Sequence, residues 1–170
     1  MPFTPDSELE LLFPLSFISP DVKRALPEGL HVRPSRDPLL IADTSQIRPL
    51  ASTDYARGHL SVLSVLSQVS DPGEAAWRAQ FMAMRAAPET YFSLVIVDRT
   101  TDQIIGTGTL FVERKFMRGL GRAGHIEDIA VDRHQQGKKV GLRIINALIY
   151  ISETLECYKT ILNCSDSNIR

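Results

Sequence analysis

Cysteine is scarce in this chain. Cys157 and Cys164 are the only two in 170 residues, too few for a disulfide framework or a four-thiolate zinc site. Two reduced thiols are expected. An excess of charge of one sign is also missing. The 19 Lys+Arg against 20 Asp+Glu leave a net charge of −1, which argues against a nucleic-acid binder held by a basic field and against an acidic disordered tail. No apolar run approaches the ~20 residues of a membrane span. The longest such stretch near the start, residues 11–18, is broken by Pro14 and preceded by Asp6, Glu8 and Glu10, where a secretory signal needs positive charge. The chain therefore reads as cytoplasmic, with neither nucleic acid nor membrane as a partner. His31, His59, His125 and His134 show no zinc-type spacing, so no metal is expected. No Ser or Cys sits in a recognisable nucleophile elbow.

What is present is one domain's worth of core, 44% apolar and 23% charged, an ordinary globular balance. Eight of the ten prolines fall in residues 1–52. Residues 1–46 therefore read as a Pro-rich arm, with short strands at 30–33 and 46–50. Ser52-Thr53-Asp54 offers an N-cap, and Leu60, Leu63 and Leu66 follow at helical spacing, which predicts a helix over 53–68. A second helix is predicted over 73–86, with Trp77, Phe81 and Met84 on one face. Period-2 patterns then predict strands at 91–97 and 104–112 joined as an antiparallel hairpin. Gly106 and Gly108 weaken the second strand or allow a close approach. Residues 113–124 read as a basic, Gly-rich connection and 124–132 as a third strand. A helix over 137–155 carries a broad apolar stripe, and a further strand at 157–164 returns parallel. The fold class is α/β, a central mixed β-sheet flanked by helices.

Two motifs carry little by themselves. Gly119-x-Gly121-x-x-Gly124 has the spacing of a dinucleotide fingerprint, but a strand follows it where a helix is required. The run Glu113 to Arg118 is either a solvated charged stretch or the lining of an anion site.

Residues 125–142 are more informative. The strand His125 to Asp132 leads through a turn into Gln136-Gly137-Lys138-Lys139-Val140-Gly141, which opens the long helix. A helix start leaves backbone N–H groups unpaired and carries a positive dipole end, and glycine lets a phosphate approach closely. The same residues fit a pyrophosphate site or a plain helix start beside solvated lysines, and spacing alone does not separate the two. On the strand, alternation places Glu127 and Ile129 on one face and Asp128 and Ala130 on the other. Two adjacent carboxylates in an apolar strand are costly unless paired or functional.

These residues resemble the GNAT acetyltransferase superfamily, whose acetyl-CoA loop has the form Q/R-x-x-G-x-G/A. Here Gln136 to Gly141 matches, with Lys139 where the central Gly is usual. The segments Arg48-Pro-Leu50, Asp54-Tyr55, Arg57-Gly58, 65–69, 124–131 and 157–164 resemble, more narrowly, the glucosamine 6-phosphate N-acetyltransferases over residues 47–170. The resemblance implies acetyl transfer from acetyl-CoA to the amine of glucosamine 6-phosphate, on the way to UDP-N-acetylglucosamine. It implies pantetheine along Ile129, Ala130 and Val131, and pyrophosphate on Gln136, Gly137, Lys138, Lys139, Val140, Gly141 and Leu142. Asn163 and Asn168 fall near the cofactor. Glu127 is the implied proton acceptor and Asp128 positions the amine. Ser67, Lys115, Phe116, Met117, Arg118, Tyr158 and Lys159 are the residues that the resemblance implies for contacts to the sugar phosphate. The family forms homodimers with shared sites, so Tyr158 and Lys159 are expected to serve the neighbour's substrate.

Two departures from the family are expected to matter. Residues 33–46 read as an insertion. The chain stops at Ser167 to Arg170, where family members continue with a Phe-Tyr-x-Lys-x-Gly-Phe segment and a final strand. That tyrosine is the usual acid for the departing thiolate, and loss of the strand is expected to leave an exposed sheet edge. The expected domain is therefore 47–170, shortened at its C-terminus. The competing readings are a GNAT enzyme for another amine, such as a polyamine or a protein N-terminus, and a non-catalytic CoA-binding relative. Lys115, Arg118 and Lys159 favour an anionic acceptor.

Overall fold

β-branched and aromatic residues favour a pleated, half-buried surface, and five strands, most of them carrying such residues, pair into one sheet. The structure, a computed structural model, describes residues 3–18 and 45–163. The strands are β1 (Ser45–Pro49), β2 (Tyr91–Asp98), β3 (Gln103–Arg114), β4 (Arg122–Val131) and β5 (Cys157–Leu162), in spatial order β1-β2-β3-β4-β5. The first four pair antiparallel, and β5 lies parallel to β4. The helices are α1 (His59–Leu63), α2 (Glu74–Arg85) and α3 (Val140–Thr154). The mixed, helix-flanked sheet and the parallel return after α3 follow the sequence expectation. The expected strand at 30–33, most of the expected insertion, and the chain from Cys164 onward, including Asn168, lie outside the described residues.

Helix α3 crosses the face formed by β3 and β4. Its stripe residues Ile144, Ala147, Leu148 and Ile151 are fully buried, and each large one contributes about 1.5–3 kcal/mol. The opposite face is held by α1 and α2 through a chain of hydrogen bonds. Trp77 Nε1 donates to His59 Nδ1 at 3.2 Å. His59 Nε2 lies 3.4 Å from Thr107 Oγ1, which donates to the Leu94 carbonyl at 3.0 Å. Accepting at Nδ1 requires a neutral ring with its proton on Nε2. Burial opposes the charged form and pushes the His59 pKa down to about 4, against the nearby Asp54 charge that raises it. Two segments of the expected arm also enter the core: Leu12, Phe13 and Ile18 are buried, and Phe13 and Phe17 pack on Phe92.

The helix expected over 53–68 is shorter, and Asp54 explains why. It does not cap a helix. It is fully buried, receives Arg48 Nη1 and Nη2 at 2.7 Å each, and accepts the Ala51 N–H at 2.8 Å. Residues 52–58 form turns around this ion pair, Gly58 adopts φ 81°, and α1 begins only at His59. The connection expected over 113–124 is also shorter. Strand pairing continues to Arg114↔Arg122. The link between them contains a single turn, Met117–Leu120, in which Arg118 and Gly119 are left-handed.

Candidate active site

Strand β4 changes character halfway along. Up to Ile126 it is paired on both sides, with β3 and with β5. From Glu127 to Val131 its pairing with β3 continues, but the β5 pairing has ended at Ile126↔Leu162. Among the described residues, the backbone of this half-strand is therefore open along one edge. A bulge marks the change. Glu127 pairs with Thr109 and Ala130 with Thr107, so Asp128 and Ile129 together oppose Gly108. Asp128 adopts φ 58°. Glycine is required opposite the bulge: a Cβ on Gly108 would stand 2.4 Å from Ile129 Cδ1 and 2.7 Å from Ile144 Cγ2.

The bulge overturns the simple alternation expected for this strand. Glu127 and Ala130 share the face of their partners Thr109 and Thr107, the side on which His59 lies. Ile129 and Val131 turn instead toward α3, where both approach Gly141. The extra residue shifts the period by one, so Glu127 and Ile129 are on opposite faces. The expected cost of two carboxylates is also absent, because Glu127 and Asp128 are both exposed at the open edge.

The turn after β4 is built by short-range contacts. The Asp132 carboxylate accepts the His134 N–H at 2.8 Å, Gln136 Nε2 reaches the Val131 carbonyl at 3.4 Å, and Lys138 Nζ donates to Gln135 Oε1 at 2.9 Å. Lys139 precedes α3 in the left-handed conformation (φ 62°, ψ 17°), and no side chain caps the helix. A glycine adopts that backbone without strain, whereas a residue with a Cβ is disfavoured by roughly 1–2 kcal/mol. This is the physical content of the Lys139 departure. The uncapped N–H groups border a cavity of about 290 Å³ lined by Val131, Gln135, Gln136, Gly137, Lys139, Val140 and Gly141. Open β4 edge, bulge and uncapped helix start are contiguous, and together they offer backbone donors to an amide-bearing chain ending in an anion.

Other expected site residues gather at the far end of β4. Lys115 pairs with Glu113. The Arg118 guanidinium and the Lys159 ammonium lie 5.8 Å and 5.7 Å from the Tyr158 ring centroid. Phe116 and Met117 are strongly exposed at the tip of the connection, 99% and 67%. Ser67 stands apart, exposed on the turn after α1, and Asn163 is exposed just beyond β5. Sequence reasoning placed Glu113 only within a charged run, gave no role to His125 and did not foresee the bulge. Its one signal was Gly108, read as permitting a close approach.

A larger cavity, about 580 Å³, lies between residues 9–17, the end of α2 and the start of β2, and contains none of the expected site residues. Among the described residues, no group of three or more His, Cys, Asp or Glu is placed to hold a metal ion, and no helix is long and apolar enough to cross a membrane.

Comparison with known proteins shows the family. The model of the acetyltransferase (GNAT) family matches residues 55–170. Glucosamine 6-phosphate N-acetyltransferase 1 of Dictyostelium discoideum is 39% identical over 131 residues, covering 77% of this chain and 83% of its own length. A probable glucosamine 6-phosphate N-acetyltransferase 2 of Oryza sativa is 40% identical over 122 residues, 71% of this chain and 74% of its own. The crystal structure of glucosamine-6-phosphate N-acetyltransferase from Arabidopsis thaliana superposes with a TM-score of 0.72 at 33% identity, over 74% of this chain and 85% of that one. By sequence and fold alike, the chain belongs to the acetyltransferase (GNAT) family and, within it, to the group that contains these glucosamine 6-phosphate N-acetyltransferases.

Proposed function

We propose that this chain transfers the acetyl group of acetyl-CoA to the 2-amino group of glucosamine 6-phosphate. One observation carries the reading: among the described residues, the β4 backbone from Glu127 to Val131 pairs with β3 alone, across a bulge and directly before an uncapped helix start. When bound, acetyl-CoA supplies the thioester that the amine attacks. The backbone of Ile129, Ala130 and Val131 hydrogen-bonds the pantetheine arm, and an N–H there polarises the thioester carbonyl. The N–H groups of 137–142, with Lys138 and Lys139, receive the pyrophosphate.

Glu127 takes the proton that the ammonium group must lose before attack, through a water molecule, and Asp128 orients the amine. Both carboxylates are exposed beside the open edge, which supports direct access to an incoming amine. Lys115, Arg118, Tyr158 and Lys159 bind the phosphate and hydroxyls, and Ser67, Phe116 and Met117 complete the substrate side. The protein works as a cytoplasmic homodimer in which Tyr158 and Lys159 serve the neighbour's acceptor. Their exposed position on β5, the edge strand of the sheet among the described residues, supports that arrangement.

Acceptor choice tests the reading. Glucosamine 6-phosphate is expected to support turnover at least about a hundredfold better in kcat/KM than glucosamine or spermidine, because two or more charge-assisted contacts to phosphate are lost with either. Preference for spermidine overturns the assignment.

A further inference from the structure

On the face that carries Glu127, the neighbouring row of side chains is aromatic. Tyr91, Phe111 and His125 are cross-strand partners on β2, β3 and β4. Their ring centroids are 5.7 Å and 5.9 Å apart in turn, and all three are half-buried. The next β3 residue on that face is Glu113, and it reaches in two directions. One carboxylate oxygen lies 3.2 Å from His125 Nε2, and the other pairs with the Lys115 ammonium. The Lys115 hydrogen bond, and after it the one from His125, hold the Glu113 carboxyl below the usual carboxylate range. Glu113 is thus an anion that joins two neighbours.

We propose that Glu113 and His125 are a further acceptor-binding element. Glu113 is a positioning residue: it fixes the His125 imidazole beside Glu127 and holds Lys115 ready for phosphate, while His125 Nδ1 accepts a hydrogen bond from an acceptor hydroxyl. A carboxylate only accepts, so when the His125 ring is neutral its proton lies on Nε2 and Nδ1 is the acceptor. Nδ1 has no hydrogen-bond partner among the described residues. His125 and Glu127 are two residues apart on one face, before the bulge, which is about 7 Å along the strand. That span suits a ring bearing an amine and a hydroxyl on nearby carbons. Lys115, on the other side of Glu113, is then set for a charged substituent farther from the amine. The matching ligand is a polyhydroxylated amine phosphate. The pair therefore separates a phosphorylated amino sugar from a simple amine, and this step rests on the acceptor proposed above.

The pair has little structural weight. The side chains of Glu113, Lys115 and His125 are 38%, 28% and 26% exposed, and ion pairs in such positions add little to folding. Its removal is therefore expected to act on the acceptor and not on the fold.

Steady-state kinetics on the full chain test this, with glucosamine 6-phosphate and acetyl-CoA varied separately. Glu113→Gln and His125→Leu are each expected to raise the KM for glucosamine 6-phosphate by up to roughly tenfold, the size of one lost hydrogen bond. The KM for acetyl-CoA and the Tm stay at wild-type values. His125→Gln, which retains an acceptor oxygen, recovers most of the loss. Unchanged acceptor KM in both variants overturns the inference while leaving the acceptor assignment intact. So does an equal rise in both KM values, or a lowered Tm, which marks a structural role. A wild-type chain that does not turn over glucosamine 6-phosphate overturns both.

Discussion

Glu127→Ala is expected to lower turnover with glucosamine 6-phosphate by about a hundred- to ten-thousandfold, the usual contribution of a positioned general base. CoA affinity is expected to stay within about twofold, because the cofactor contacts proposed here are backbone groups and helix N–H donors that the substitution leaves in place. The separation follows from the bulge. It turns Ile129 and Val131 toward α3 and leaves Glu127 on the opposite face with Thr109 and Thr107. The variant is also expected to fold normally, since Glu127 is exposed. Titration of CoA beside a thiol-release assay checks both halves. Parallel loss of binding and turnover assigns Glu127 to the cofactor and contradicts the proposed role.

Asp54→Ala is expected to be the most damaging single change to stability. The Arg48 and Asp54 side chains are 1% and 0% exposed, and two hydrogen bonds of 2.7 Å join them. Removing one partner strands the other charge in the core, which costs about 3–5 kcal/mol. For a chain of this size, that loss lowers the Tm by roughly 6–20 °C. Arg57 shares the network: it touches Asp54 at 3.4 Å and Asp102 at 3.1 Å, and Asp102 in turn accepts from Thr4. The same substitution is therefore expected to loosen the N-terminal segment. Replacing Arg48 and Asp54 together with apolar residues of similar volume is expected to cost much less. Thermal unfolding of the single and double variants distinguishes a stranded charge from a general packing defect. Equal losses in both contradict the account.

Some parts of this protein were legible because their signals are local. The stripe of Ile144, Leu148 and Ile151 fixes α3 by its spacing, and the β-branched run 91–97 fixes β2. The turn Gln136 to Gly141 was legible as the opening of that helix, while spacing alone left an anion site and a plain helix start undivided. Other parts were hidden because they depend on pairing. Asp54 carries the composition of a cap, and only the fold brings Arg48 against it. The faces of Glu127 and Ile129 follow from one extra residue opposite Gly108, which strict alternation misses. Glu113 and His125 are 12 residues apart. They meet because the β3–β4 pairing sets Phe111 opposite His125 and leaves Glu113 next on the same face.

In the proposed function, the open half of β4 and the uncapped start of α3 together hold the cofactor. Amide hydrogen exchange with and without CoA tests it most directly. Slower exchange is predicted at those amides of residues 127–131 that lack a β3 partner, and at 137–142, with β1 and β2 unchanged. Protection confined to the apolar cavity between residues 9–17 and β2, or CoA binding that protects neither segment, contradicts the account.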